Sequence, residues 1–146
     1  MANFDFKLER VLNYKKTVEN FKKNKYGMMR QRLIKEEDKL SNFNDHKKTI
    51  IEEKNMSNIK IKAGDLAMYN SYINDLNIQI KKQEEIVIET KENLERAKDE
   101  MIVSIKEKKI FEKLKENKYE EYICELKKQE EKQNDTLLSY RISNQQ

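Results

Sequence analysis

The 146-residue chain contains no proline and no tryptophan, only two glycines, one cysteine and one histidine. Hairpins, Rossmann turns and phosphate-cradling loops need Gly and Pro at defined positions. With Gly27 and Gly64 alone available, β-rich and α/β folds are excluded. Cys124 and His46 have no second Cys or His to work with, so one chain cannot assemble a disulfide framework, a zinc cluster or a Cys/His nucleophile pair. No metal and no cofactor is expected. Met1 to Lys16 lacks the apolar core of a signal peptide, and no apolar run approaches the roughly 20 residues of a membrane span, so a cytoplasmic protein is expected. What the chain has is charge: 40% of its residues are charged, 31 basic and 27 acidic, against 36% hydrophobic. A thick globular core is excluded, which leaves long helix, coiled coil or disorder.

Apolar spacing decides among these. From Phe4 to about residue 55 only Gly27 weakens a helix, and Phe4, Leu8, Val11, Val18, Met29, Phe43 and Ile50 recur in steps of three and four. The same register puts Lys15, Lys22, Lys25, Arg32, Glu36 and Lys39 on the contact line, where charges must snorkel or pair. A second run is stronger: Leu66, Tyr69, Ile73, Leu76, Ile80, Gln83, Val87, Thr90, Leu94, Ala97, Met101 and Ser104 sustain nearly six heptads. Beyond Ser104 the stripe shifts and loosens through Phe111, Leu114, Tyr122 and Leu126 to Leu137 and Tyr140. Between the runs lie polar Asn55, Ser57 and Asn58, then Gly64 and Asp65, the last a natural N-cap. The spacing therefore predicts one all-α coiled-coil domain: helix 4–55, turn 56–64, helix 65–141 and a frayed tail 142–146. In this long antiparallel two-helix hairpin, paired residue numbers add to about 120, giving a shaft about 78 Å long with the second helix overhanging.

Charge supports the pairing. Residues 1–64 carry 16 basic and 9 acidic side chains, whereas residues 65–146 carry 15 and 18, so the two arms attract. Exposed pairs contribute little each, and their effect is on orientation. Carboxylates on solvated helical faces, with lysines three or four residues away, offer no pocket to shift a pKa toward acid/base work, so the chain is read as not an enzyme. The basic run 15–35 faces an acidic partner stretch, and 26 of the 31 basic residues are lysine, which disfavours nucleic acid. No segment joins a broad apolar face to a lysine face, which disfavours membrane adsorption.

Aromatic residues offer candidate contacts. Tyr69, Phe111 and Tyr122 lie on the seam, where packing explains them, but Leu40 and Tyr72 lie off it, and Phe43 sits beside water-seeking His46 and Lys47. Antiparallel pairing brings Leu40, Tyr72 and Leu76 into one patch toward the turn, a candidate docking surface. At the other end, Phe4, Phe6 and Leu8, with Tyr119, Tyr122, Ile123 and Leu126 of the overhang, are expected to be apolar residues that no intrachain partner covers.

Three sequence blocks carry a resemblance. Phe4-Asp5-Phe6-Lys7-Leu8-Glu9-Arg10-Val11-Leu12, with Tyr14, Lys15 and Glu19, resembles the opening of the bacterial flagellar export protein FliJ. Met68-Tyr69-Asn70-Ser71-Tyr72-Ile73, leading to Leu76, Ile80 and Gln83, is similar to the start of that family's second helix. Lys109 to Glu116, Tyr119 and the charged string Lys128 to Asp135 resemble its C-terminal signature. The resemblance implies an antiparallel coiled coil shaped like the central stalk of rotary ATP synthases. It also implies a non-catalytic role in flagellum biogenesis: binding the hexameric export ATPase FliI, coupling it to the cytoplasmic domain of the export-gate protein FlhA, and recruiting export chaperones. Such a protein works at the cytoplasmic face of the cell membrane at the flagellar base, peripheral to it through partners only. By the same resemblance the gate-contacting face maps onto Leu40, Phe43, Tyr72, Leu76, Gln79 and Gln83, and the ring-contacting residues are Phe4, Phe6, Leu8, Tyr119, Tyr122, Ile123 and Leu126. The injectisome stalk and a generic coiled-coil scaffold or chaperone-like protein are the alternatives.

Overall fold

The computed structural model describes residues 3–57 and 62–145, and these form an all-helical hairpin. Helix α1 runs Glu9–Met56 and the longer α2 runs Ala63–Asn144, packed antiparallel. The part of the expected turn at 58–61, and Gln146 of the expected tail, lie outside the described residues.

Helix ends differ from the sequence expectation in three places. Residues 3–6 are not helical: the chain turns at Lys7 and Leu8, with the Glu9 N–H donating to the Phe6 carbonyl at 3.1 Å. Phe6 is only 7% exposed, and burying that ring outweighs one more helical turn. At the start of α2 the Leu66 N–H donates to the Lys62 carbonyl at 3.0 Å, so the helix begins before Gly64, and Asp65 is a first-turn residue rather than the N-cap. Its carboxylate still opposes the positive end of the helix dipole. The C-terminal end of α2 reaches Asn144, past the expected 141.

The chain packs as two compact units, Met1–Asn20 with Val103–Gln146 and Phe21–Ile102. In the second unit the inward residues of α2 are those the heptads name: Leu76, Ile80, Gln83, Val87, Thr90 and Ala97 are buried, and Leu66, Tyr69, Ile73, Leu94 and Met101 are half-buried. Opposite them α1 departs from the strict repeat. The half-buried seam residues run Lys22, Lys25, Met29, Leu33, Glu36, Leu40, Phe43, Lys47, Ile50, with Tyr26 and Gly27 also half-buried beside Lys25, so two consecutive four-residue steps occur around Met29. Such a stutter locally unwinds a coiled coil. Its effect is to turn Leu33 and Leu40 inward and leave Arg32 and Lys39 exposed, which avoids desolvating two cations. Leu40 is therefore a seam residue, contrary to the sequence reading, and Lys47 is half-buried rather than free in water.

Polar seam positions are answered across the pair. The amide of Gln83 donates to the Glu36 backbone carbonyl at 2.9 Å and to its carboxylate at 2.6 Å. Glu100 receives Lys22 at 3.0 Å and Lys25 at 3.2 Å. In the first unit Phe6 and Leu12 are buried, and the buried carboxylate of Glu19 meets Lys108 at 2.6 Å, while Lys15 reaches Glu107 and Lys115 reaches Glu9. Beyond Leu126 every described residue of α2 is exposed, including Leu137 and Tyr140, which the sequence reading placed on a continuing stripe.

These contacts set a pH dependence. The Gln83 hydrogen bond holds the Glu36 carboxyl below its ordinary 4.5, and the Lys22 and Lys25 hydrogen bonds do the same for Glu100. The Glu19 hydrogen bond raises Lys108 above 10.5. A depressed carboxyl adds stability that is complete above pH 4.5 and is lost as pH falls through the lowered folded-state value. The raised lysine adds stability that is complete below pH 10.5 and is lost as pH climbs through its folded-state value. Urea melts followed by circular dichroism should therefore lose midpoint below pH 4.5, and Glu100→Gln should shallow that acid limb; parallel limbs for the two proteins would contradict this assignment.

Candidate interaction surfaces

The first candidate surface lies in unit Phe21–Ile102, near the end of α1 and the start of α2. Tyr72, Leu76, Gln79 and Gln83 recur on α2 at helical spacing and share one stripe. Leu76 is 3% and Gln83 6% exposed, so the inner edge of this stripe is hairpin core, while Tyr72 and Gln79 stand on its rim. Leu40 and Phe43 are half-buried on the inward side of α1. Of the six residues, Tyr72 and Gln79 are thus the exposed ones. The Tyr72 hydroxyl is hydrogen-bonded to His46 Nε2, and the two rings meet edge to face at 5.6 Å, which holds the phenol against α1. Next to it an open groove of about 920 Å³ is lined by Ile50, Met68, Tyr69, Tyr72 and Asp75. Met68, 71% exposed, belongs to this groove. It lies outside the residue set derived from the sequence, although its exposed position one turn before Tyr72 is legible from helical spacing.

The second surface lies in the other unit, where the N-terminal segment meets α2. Here the expectation of bare apolar residues needs correction. Phe4 packs edge to face on Tyr119 at 5.3 Å and against Tyr122 at 5.5 Å, and Phe6 is buried. The reason is the non-helical segment at residues 3–6: an extended chain reaches back over α2, which a helix starting at residue 4 could not do. Leu8 and Tyr119 remain exposed at 39% and 48%, and Ile123 and Leu126 are half-buried. Phe4, Phe6, Leu8, Leu114, Lys118 and Tyr122 line a cavity of about 700 Å³. Farther along α2, Leu137, Leu138, Tyr140 and Ile142 are all more than half exposed.

Neither surface converges groups for chemistry. Among the described residues no group of His, Cys, Asp and Glu is placed to hold a metal ion, and no helix is long and apolar enough to cross a membrane. A family model described as "Flagellar FliJ protein" matches residues 4–146. The chain belongs to the flagellar FliJ family. Membership makes it a component of flagellar type III export, in a family of non-catalytic stalk proteins. No curated protein matches the sequence. Among solved structures, a protein described as a YscO homolog from Chlamydia trachomatis is similar at 25% identity and a TM-score of 0.47, with 99% of each chain covered. The family match takes in both surfaces of this FliJ-family chain, from Phe4 through the exposed end of α2.

Proposed function

We propose that this FliJ-family chain is the central, non-catalytic stalk-like component that engages the hexameric export ATPase FliI and links the ring to the cytoplasmic domain of the gate protein FlhA and to export chaperones. It acts at the cytoplasmic face of the cell membrane at the flagellar base and reaches the membrane only through those partners. The observation that carries this reading is the family match running from residue 4 to residue 146. The geometry is consistent with it. In one unit an aromatic cluster of Phe4, Tyr119 and Tyr122 adjoins exposed Leu8, chemistry suited to an apolar ring lumen. In the other, Tyr72 and Gln79 with the Met68 groove form the surface suited to the gate.

A stalk accelerates an ATPase without supplying a catalytic group, by binding some nucleotide states of the ring more tightly than others. Its two helices present different side chains around their axis, so each ring subunit meets a different surface. Added to purified FliI, the chain should raise ATP hydrolysis and promote hexamers in sedimentation or electron microscopy at a ratio below one chain per ATPase subunit. Unchanged turnover together with unchanged assembly would reject the stalk assignment.

A further inference from the structure

The outward face of α1 between Phe21 and Lys35 has the composition of an interface. Phe21, Asn24, Met28, Gln31 and Lys35 fall in steps of three and four, a second heptad stripe on the same helix. At about 100° per residue the centre of this stripe lies about 120° around the helix from that of the buried one of Lys22, Lys25, Met29 and Leu33. The side chains agree: Phe21 is 66%, Met28 70% and neighbouring Ile34 53% exposed. In a chain with 40% charged residues, Phe21, Asn24, Met28, Gln31 and Ile34 are all uncharged, and Lys35 closes the stripe. Enrichment in aromatic residues and Met with depletion of Lys and Glu marks the core of a protein interface.

Charge beside the stripe defines what fits it. Between Phe21 and Lys35 the helix has six cations and no carboxylate. Lys22 and Lys25 are engaged by Glu100 of α2, whereas exposed Arg32 lies one turn from Met28 and exposed Arg30 one turn from Ile34. A second copy of this helix would bring the same cations together and be repelled. We infer that this face binds an amphipathic helix of a partner protein whose apolar stripe is flanked by carboxylates, with Phe21 and Met28 as the anchors and Arg30 and Arg32 selecting the charge. The partner helix would lie alongside α1 as a third strand of the coiled coil. This inference is independent of the surfaces assigned to ring and gate.

The test uses the full chain and two synthetic helical peptides about three heptads long, both with a leucine stripe, one flanked by glutamates and the other by lysines. Fluorescence anisotropy should show saturable binding of the glutamate peptide, at least about tenfold tighter than the lysine peptide, and methyl NMR should shift the Met28 resonance. Phe21→Asn with Met28→Gln should weaken binding about tenfold or more with helicity unchanged by circular dichroism, and Arg30→Glu with Arg32→Glu should reverse the peptide preference. Leu137→Asn with Leu138→Asn, on the exposed end of α2, should have no effect. Absence of binding, equal binding of both peptides, or binding indifferent to the Phe21 and Met28 changes would overturn the inference. So would a wild-type dimer in sedimentation that the same changes dissolve, because the occupant would then be a second copy.

Discussion

Leu12→Ala should destabilise the unit containing it by about 3 kcal/mol, since removing a fully buried leucine side chain loses its transfer free energy and leaves a cavity. Leu12 is 1% exposed and is the largest fully buried side chain among the described residues. A two-helix pair has few such residues, so the loss falls on a thin core: among the described residues of this unit only Phe6 accompanies it as a buried hydrophobic, and the other buried positions, Glu19 and Ser104, are polar. Thermal melts should show the change, with Leu138→Ala as the control. Leu138 is the same residue type, 58% exposed on α2, and its loss should stay within about 0.5 kcal/mol. Comparable shifts in the two variants would mean that Leu12 packs against nothing specific in solution.

Phe6→Ala is the second large effect. The ring is 7% exposed in a segment without helical hydrogen bonds of its own, so its burial is the main force holding residues 3–6 on α2. Truncation should cost about 3 kcal/mol. It should also free Phe4 from Tyr119 and Tyr122, visible as faster amide exchange at residues 7–12 and altered tyrosine ring resonances. Conversely, Phe4→Ala removes a half-buried ring and should cost less while exposing the same tyrosines. If both variants leave Tyr119 and Tyr122 unmoved, the N-terminal segment does not cover them. The pair also separates folding from binding: if FliI recognises the tyrosines themselves, Phe4→Ala should retain or strengthen ring engagement, whereas Phe6→Ala should weaken the whole unit.

Most of the hairpin is legible in the heptads of α2, whose residues from Leu66 to Ser104 face inward as their spacing requires. Hydrophobic periodicity works there because nearly every seam residue is apolar or small. In α1 the same reasoning follows a strict repeat past Met29 and selects Arg32 and Lys39, because periodicity alone has no means to weigh one cation buried against one leucine gained. The packed pair weighs both, and its two four-residue steps bring in Leu33 and Leu40 instead. Cross-helix partners decide the polar seam in the same way. The heptad places Gln83 on the seam, but only the Glu36 carbonyl and carboxylate across the pair show how its amide is satisfied there. Of the expected gate-facing stripe, that leaves Tyr72 and Gln79 exposed.

What the amino-acid sequence determines by itself is the class of structure and the family: no proline, two glycines, 40% charge and sustained heptads admit a long helical hairpin, and the ordered blocks from Phe4 to Asp135 lie within the FliJ match. What only the tertiary structure decides is which side of each helix is available to a partner. The inward turn of Leu33 and Leu40, the return of Phe4 and Phe6 onto α2, and the outward placement of Phe21 and Met28 all depend on contacts between residues far apart in the chain, and those contacts set the desolvation cost of every side chain on the seam.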